Sequence, residues 1–372
     1  MPSRFACVVA AASLLTIAAC KSSSKDAATA AAGPPPREAS FDVRHEVKIA
    51  VPEGAKAVRA WVAYPQDDPL QTVADLKVEC PYPHRVITDD HGNRMLYVEA
   101  NAPTTREFSV VETFRLVRRE QKVEADPSKT RPLTDAEKAT FAAELAPNTH
   151  VVIDDSVRKV AREATGGEKN PVLAARRLYD WELRNVDYWV KDPDNRKASP
   201  VGSTEYTLKN RTGNCTDFHS LWTSMARAEG IPTRMVYGSF LKKDLDGKDK
   251  DQSYHCWPEF YAPGIGWVPH DVAVADIFVG DFQLTPTNEE KVRLTTADGY
   301  SGADPAKVDY YFGAVDERRV TWSRGRDLKP NPAPAAGALN HMAKAHVEVD
   351  GQVLPENKGW TRKLTFTTPA AR

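Results

Sequence analysis

One cysteine, one histidine and one aspartate in this chain stand where a thiol could be made reactive. The cysteine lies in "TGNCTDFHSLWTSMARAEGIPTR" (212–234), and the other two lie in "YHCWPEFYAPGIGWVPHDV" (254–272). A nucleophilic thiol needs a base to take its proton and a third group to orient that base. Phe218, Leu221, Trp222 and Met225 recur at helical spacing, which predicts an amphipathic helix closed by Gly230, Ile231 and Pro232. Cys215 lies three residues before Phe218, so it falls on the same stripe in the first turn. The partial positive charge and free N–H groups of a helix N-terminus favour a thiolate and can stabilise an oxyanion.

His255 and Asp271 lie symmetrically about residue 263, inside a Pro263-Gly264 turn between two apolar runs. They are expected near-opposite on adjacent antiparallel strands and on one sheet face. Nδ1–H on the carboxylate would leave Nε2 free to take the thiol proton. The expected set is therefore a Cys-His-Asp triad: Cys215 nucleophile, His255 base and acid, Asp271 orienter.

Neighbouring residues have plainer readings. His219 with His255 and Cys256 lacks a spaced set of four zinc ligands, so no metal or cofactor is expected. Asp217 in the first helical turn fits capping, Arg227 and Arg234 fit structural pairing, and Trp257, Tyr261 and Trp267 fit core packing. The run "KKDLDGKDKDQ" (242–252) lacks the spacing and closing glutamate of a calcium loop. It reads as a solvated hairpin tip, with a lid over the site as the functional alternative.

The elements that must position these residues follow in chain order. Residues 41–125 carry short alternating runs between polar turns, which predicts a β-sandwich. Thr134 and Glu137 form a capping box in a helical linker over 126–150. A core over 151–275 opens with helices started by Asp154-Asp155-Ser156 and by Asn170-Pro171. Residues 276–372 are mixed and are assigned as an extension of that core.

"GNCTDFHSLWTSMARAEGIPTRMVYGSF" and "HCWPEFYAPGIGWVPHD" resemble the G-x-C-x-D-F … R-A-x-G-I-P-x-R and H-x-W-x-E-x-Y … G-W-x-P-x-D motifs of the transglutaminase-like superfamily. "AWVAYPQDD" and "HGNRMLYV" resemble the N-terminal domain of bacterial members, and "YYFGAVDERRVTWSRGRDL" (310–328) resembles a segment that follows their core. The resemblance implies an α+β fold: a papain-like core of helices on an antiparallel sheet, preceded by a β-sandwich. It assigns Cys215, His255 and Asp271 the roles above, and points to Tyr188 or Trp189 as an aromatic oxyanion donor, though both also fit simple packing. Cys256 and Pro258 stand where alanine and valine are common, and Cys256 beside the base admits oxidation or disulfide control.

Lysine plus arginine (50) balances aspartate plus glutamate (51) over 372 residues, so no basic excess points to nucleic acid. "MPSRFACVVAAASLLTIAAC" reads as a signal peptide over 1–19, its apolar run being too short to span a bilayer. Ile17-Ala18-Ala19-Cys20 resembles a lipobox, which makes Cys20 the lipidation site. A Ser/Ala/Pro tether over 20–40 follows. These features predict a lipid-anchored bacterial envelope protein on the periplasmic face of the outer membrane. Cys80, Cys215 and Cys256 then remain, an odd number, and the sequence leaves open whether Cys80 and Cys256 pair. The expected activity is acyl transfer from amide bonds of peptides or proteins, hydrolysis before cross-linking. The alternative is a catalytically silent envelope lipoprotein that binds or scaffolds.

Overall fold

In the strand Glu38–Ala50, Phe41, Val43, His45, Val47 and Ile49 are buried, while the residues between them face outward. This period of two is what one buried sheet face imposes. The computed structural model describes residues 35–280 and 282–370. The expected signal peptide, Cys20 and most of the tether therefore lie outside the described residues, and regular structure begins at Glu38.

Two antiparallel sheets make the sandwich. One has the order Trp360–Thr367, Glu38–Ala50, Glu107–Arg119, Gln71–Glu79. The other runs Gln352–Val353, Ala345–Val349, Ala57–Ala63, Arg94–Asn101, His84–Thr88. Val47, Ile49 and Val110 from the first sheet meet Val58, Val62 and Val98 from the second in one buried cluster. Burying each such side chain stabilises the fold by about 1.5–3 kcal/mol. The residues assigned to a core extension divide in space. Arg319–Arg324 joins the core sheet, whereas the strands after residue 344 complete the two sandwich sheets.

The core is α+β. Its sheet has the order Gly266–Pro269, Tyr254–Ala262, Thr233–Phe240, Arg319–Arg324, antiparallel throughout. Helices Asp155–Thr165 and Pro171–Asn185 start at the expected caps, Asp154 and Asn170. The linker capping box of Thr134 and Glu137 forms. Its helix breaks at Phe141 into Asp135–Thr140 and Ala142–Leu145. The Phe141 ring packs against Tyr261 at 4.3 Å and Trp267 at 5.9 Å.

The helix Cys215–Ala228 departs from the amphipathic reading, because every residue from Cys215 to Arg227 is buried. Trp222 packs on Phe260 and His270. The polar face is buried against partners rather than water: Ser224 Oγ bonds Thr204 Oγ1, and Arg227 donates to the Thr233 and Ala146 carbonyls. Buried polar groups need such partners. From Pro36 onward the chain forms one compact unit.

Candidate functional site

Cys215 is the first residue of its helix. Asn214 caps it, its Oδ1 accepting from the N–H groups of Thr216 and Asp217. Asp217 closes the capping box on Asn214 N–H and also accepts from Ser199 N–H, Ser199 Oγ–H and Ser203 N–H. This one carboxylate pins the loop at 199–203 to the start of the Cys215 helix. Gly213 is required here, since a Cβ would lie 2.3 Å from Asp217 Cβ. Its neighbours Asp187–Tyr188 and Thr212–Gly213 pair in parallel and bring Tyr188 beside Cys215.

His255 Nε2 lies 2.7 Å from Asp271 Oδ2, and both side chains are buried. The pair forms with different geometry from that expected. The hairpin register, Glu259↔Pro269 and Tyr261↔Trp267, centres on residue 264 rather than 263. The strand ends at Pro269, and Asp271 is instead the N-cap of the short helix Val272–Ala275, its Oδ1 accepting from Val274 N–H. The carboxylate therefore meets the far nitrogen of the ring. With Nε2 turned to the carboxylate, Nδ1 is the ring nitrogen left for the thiol, the reverse of the expected tautomer.

Arg319 is the residue that sequence reasoning missed. Fully buried, it donates from Nη1 to Asp271 Oδ2 at 2.8 Å and from Nε and Nη2 to Asp316 Oδ2. Its pairing opposite Phe240 in the core sheet delivers it there. The signal was present: an arginine heading the strand pattern "RVTWSR", in the segment already marked by its resemblance. A buried arginine needs acceptors for its donors, and a carboxylate also balances its charge.

These contacts set the charges. Burial works to raise the Asp271 carboxyl, but His255, Arg319 and the hydrogen bonds from His219 and His255 outweigh it and hold it well below its ordinary range. Burial likewise works against a charged His255, yet Asp271 and Cys215 raise its pKa. The Cys215 thiol is lowered well below its ordinary value, first by a hydrogen bond from Cys256, then, against burial, by the charge and hydrogen bond of His255. The arrangement favours a thiolate–imidazolium pair over neutral thiol and imidazole.

Tyr188 OH accepts the Cys215 N–H at 3.2 Å. Trp189, half-buried in the 3₁₀ turn Trp189–Lys191, makes no hydrogen bond to these residues. His219 sits with Nε2 3.4 Å from Asp271 Oδ1 and Nδ1 3.5 Å from Cys256 Sγ. Among the described residues no group of three or more His, Cys, Asp or Glu side chains is arranged to hold a metal ion. Cys80, Cys215 and Cys256 are free thiols. Arg234 pairs with Glu259 and covers Trp267, and Glu259 also accepts from Gln121.

The 242–252 segment is not placed as a lid. Asp246 accepts from Thr368, Lys363 pairs with Asp249, and Lys250 with Glu290. These contacts tie it to the C-terminal strand and to the helix Glu289–Arg293. It lines a groove of about 520 Å³ with Arg44, Arg115 and Phe366, apart from the triad residues. A second cleft, of about 270 Å³, adjoins the nucleophile helix and is lined by Ser199, Gly202, Thr216, Tyr254, Lys344 and Trp360, among others.

A family model described as the transglutaminase-like superfamily matches residues 158–272. An uncharacterized protein of Haemophilus influenzae is 26% identical over 333 residues, covering 82% of this chain and 85% of that one. The fold is similar to the crystal structure of a candidate cysteine protease from Cytophaga hutchinsonii, with TM-score 0.53, 17% identity, and coverage of 89% of this chain and 98% of the other. The helix-borne cysteine, the histidine strand and the aspartate that caps the following helix all fall inside the matched stretch, and residues 158–272 are a domain of the transglutaminase-like superfamily.

Proposed function

We propose that this protein is a cysteine-dependent acyltransferase that cleaves amide bonds of peptides or proteins through a Cys215-His255-Asp271 triad. The observation that carries the reading is the buried 2.7 Å bond between His255 Nε2 and Asp271 Oδ2, on a strand packed against the helix that begins at Cys215. Cys215 Sγ attacks the carbonyl carbon, and His255 Nδ1–H protonates the departing amine, leaving a thioester. Water, deprotonated by the now neutral His255, then releases the acid. An amine in its place would give a cross-link, and hydrolysis is the favoured outcome of this proposal.

The phenol of Tyr188 serves the oxyanion. Because it accepts the Cys215 N–H, its own O–H is polarised and free to donate, since it makes no other hydrogen bond among the described residues. Trp189 has no comparable contact and is left out of the site. The cleft at Thr216 and Tyr254 is where the substrate chain would lie.

The N-terminal residues support the rest of the proposal: export, lipidation at Cys20 and tethering to the periplasmic face of the outer membrane. Cys20→Ser is expected to move the protein from the membrane fraction to the soluble one. For the activity, the test is incubation with envelope proteins and peptides, with Cys215→Ala as control. New N-termini that depend on Cys215 support hydrolysis, and new isopeptide bonds support cross-linking. The absence of both products would refute the acyl-transfer reading.

A further inference from the structure

Two fully buried carboxylates stand at the ends of the helix Val272–Ala275, and the mechanism above uses only the first. Asp271 caps the start of that helix and holds His255. Asp276 caps its end and opens the 3₁₀ turn Asp276–Phe278. The Asp276 Oδ2 accepts the Tyr188 backbone N–H at 2.9 Å and pairs with Lys191 Nζ at 2.8 Å. We propose that Asp276 is a positioning residue for Tyr188, holding its backbone so that the phenol meets the Cys215 amide and the oxyanion that forms beside it. The proposal rests on the reading of Tyr188 as the oxyanion donor.

The strand that carries Tyr188 is short. Asp187–Tyr188 makes a two-residue bridge to Thr212–Gly213, and the chain then turns at once into Trp189–Lys191. The Tyr188 ring rests on Phe218, with centroids 5.6 Å apart. Apolar packing is non-directional, so it does not fix how far the phenol oxygen reaches toward the Cys215 N–H. The bond to Asp276 is directional and charge-assisted, and it acts on the Tyr188 backbone itself. The same carboxylate oxygen holds Lys191, so it grips both ends of the 188–191 turn while Lys191 balances its charge. A displacement of about 1 Å at a reacting centre can cost about 100-fold in rate, and a restraint of this kind acts on that scale.

One piece of backbone thus links two parts of the site. The start of Val272–Ala275 holds the imidazole, and its end holds the turn that carries the phenol. Every residue from Asp271 to Phe278 is buried, and Ala275 N–H bonds Asp271 O, so the two carboxylates are fixed relative to each other. Asp276 lies beyond the matched stretch 158–272. Its Oδ1 has no hydrogen-bond partner among the described residues. An asparagine can therefore turn its NH₂ to that side and keep its oxygen on the Tyr188 N–H, whereas an alanine leaves that N–H without its acceptor.

The test separates acylation of Cys215 from its alkylation, because only acylation passes through an oxyanion. With p-nitrophenyl acetate the sulfur attacks the ester carbonyl, the C=O electron pair moves to oxygen, and its return expels p-nitrophenolate, whose colour is read. Iodoacetamide alkylates the same sulfur by direct displacement of iodide and is read on the Cys215 peptide by mass spectrometry. Asp276→Ala is expected to lower the ratio of acylation to alkylation about tenfold or more, and Asp276→Asn to recover most of it. In a Tyr188→Phe background, Asp276→Ala should cost little further acylation. Because Asp276→Ala strands Lys191, which is only 9% exposed, Asp276→Ala with Lys191→Met removes both charges and is expected to show the same loss in a folded chain. An unchanged ratio in the folded variants overturns the proposal, and so does a loss that adds in full to that of Tyr188→Phe, which would mark an effect not carried by the phenol. If Tyr188→Phe itself leaves the ratio unchanged, the oxyanion reading of Tyr188 fails, and this proposal with it. A low ratio in Tyr188→Phe beside a normal one in Asp276→Ala sinks only the role of Asp276.

Discussion

Replacing Asp271 by asparagine removes one charge while keeping the shape of a side chain that serves four neighbours. Its Oδ2 accepts from His255 and Arg319, and its Oδ1 accepts from Val274 N–H and faces His219. An amide has one acceptor oxygen, so the substituted side chain must choose. Oxygen toward His255 and Arg319 keeps the two shortest bonds and gives up the helix cap, at a cost of about 0.5–2 kcal/mol. The reverse keeps the cap and sets an NH₂ against two donors, which is worse. The first orientation is expected, so the variant should fold with a modest loss of stability. Its imidazolium then loses a charge-assisted bond and keeps a neutral one, a difference of about 1–1.5 kcal/mol. That corresponds to about one pH unit in the upper limit of the thiolate–imidazolium pair. Sign matters here: Asp271 raises the His255 pKa, so its loss brings the alkaline limb down, not up. The assay is the pH profile of turnover of a neutral amide substrate analogue, with Cys215 alkylation as a second readout. An alkaline limb identical to wild type would refute the coupling between Asp271 and His255. Asp271→Ala should do more damage, because Arg319 and His255 would face no acceptor.

Arg319→Met leaves Asp271 and Asp316 as buried carboxylates without their cation and is expected to cost about 3–5 kcal/mol in urea unfolding, with Arg319→Lys recovering part of it. Gly213→Ala places a Cβ 2.3 Å from Asp217 Cβ, so about 1–3 kcal/mol of thermal stability and a slower Cys215 labelling rate should be lost together. His45, buried against Glu112, has a pKa pushed down to about 3 by burial first and by Arg362 second. Its folded value lies below the unfolded one, so its contribution is full above about pH 6.5 and is lost as pH falls toward 3. His45→Asn keeps a polar partner for Glu112 without that titration. The stability gap between wild type and this variant should therefore narrow by about 2 kcal/mol from pH 7 to pH 5 in parallel urea titrations, and a constant gap would refute it.

How much of this was legible depended on whether a residue's task is local. Helix starts at Thr134, Asp154 and Asn170 are written in the residues that cap them, and the structure has all three. Alternation over Glu38–Ala50 is equally local. The hairpin of His255 was legible as a hairpin, but its centre was misplaced by one residue because the turn extends through Ile265, whose N–H closes it on Ala262 O. That shift, and the capping role of Asp271, decided which imidazole nitrogen faces the carboxylate. Parity along a strand could not show this, since Asp271 is not on the strand. The fully buried nucleophile helix was misread for a related reason. Its serines and Arg227 look solvent-facing until Thr204, Gly202 and Thr233 arrive from elsewhere in the chain to satisfy them.

The same logic separates the family domain from the working site. The match ends at residue 272, yet the charge that balances Asp271 comes from Arg319, and one wall of the adjoining cleft comes from Lys344 and Trp360. Lys344 is anchored by Glu356, and Trp360 begins the strand that pairs with Glu38–Ala50 in the sandwich. After Asp271 the chain continues through the buried helix Val272–Ala275, returns as Arg319–Arg324 to complete the core sheet, and then closes the N-terminal sheets. The charge that balances Asp271 is set by a strand of the core sheet, and one wall of the cleft beside Cys215 by a strand of the sandwich, and both lie outside the matched stretch.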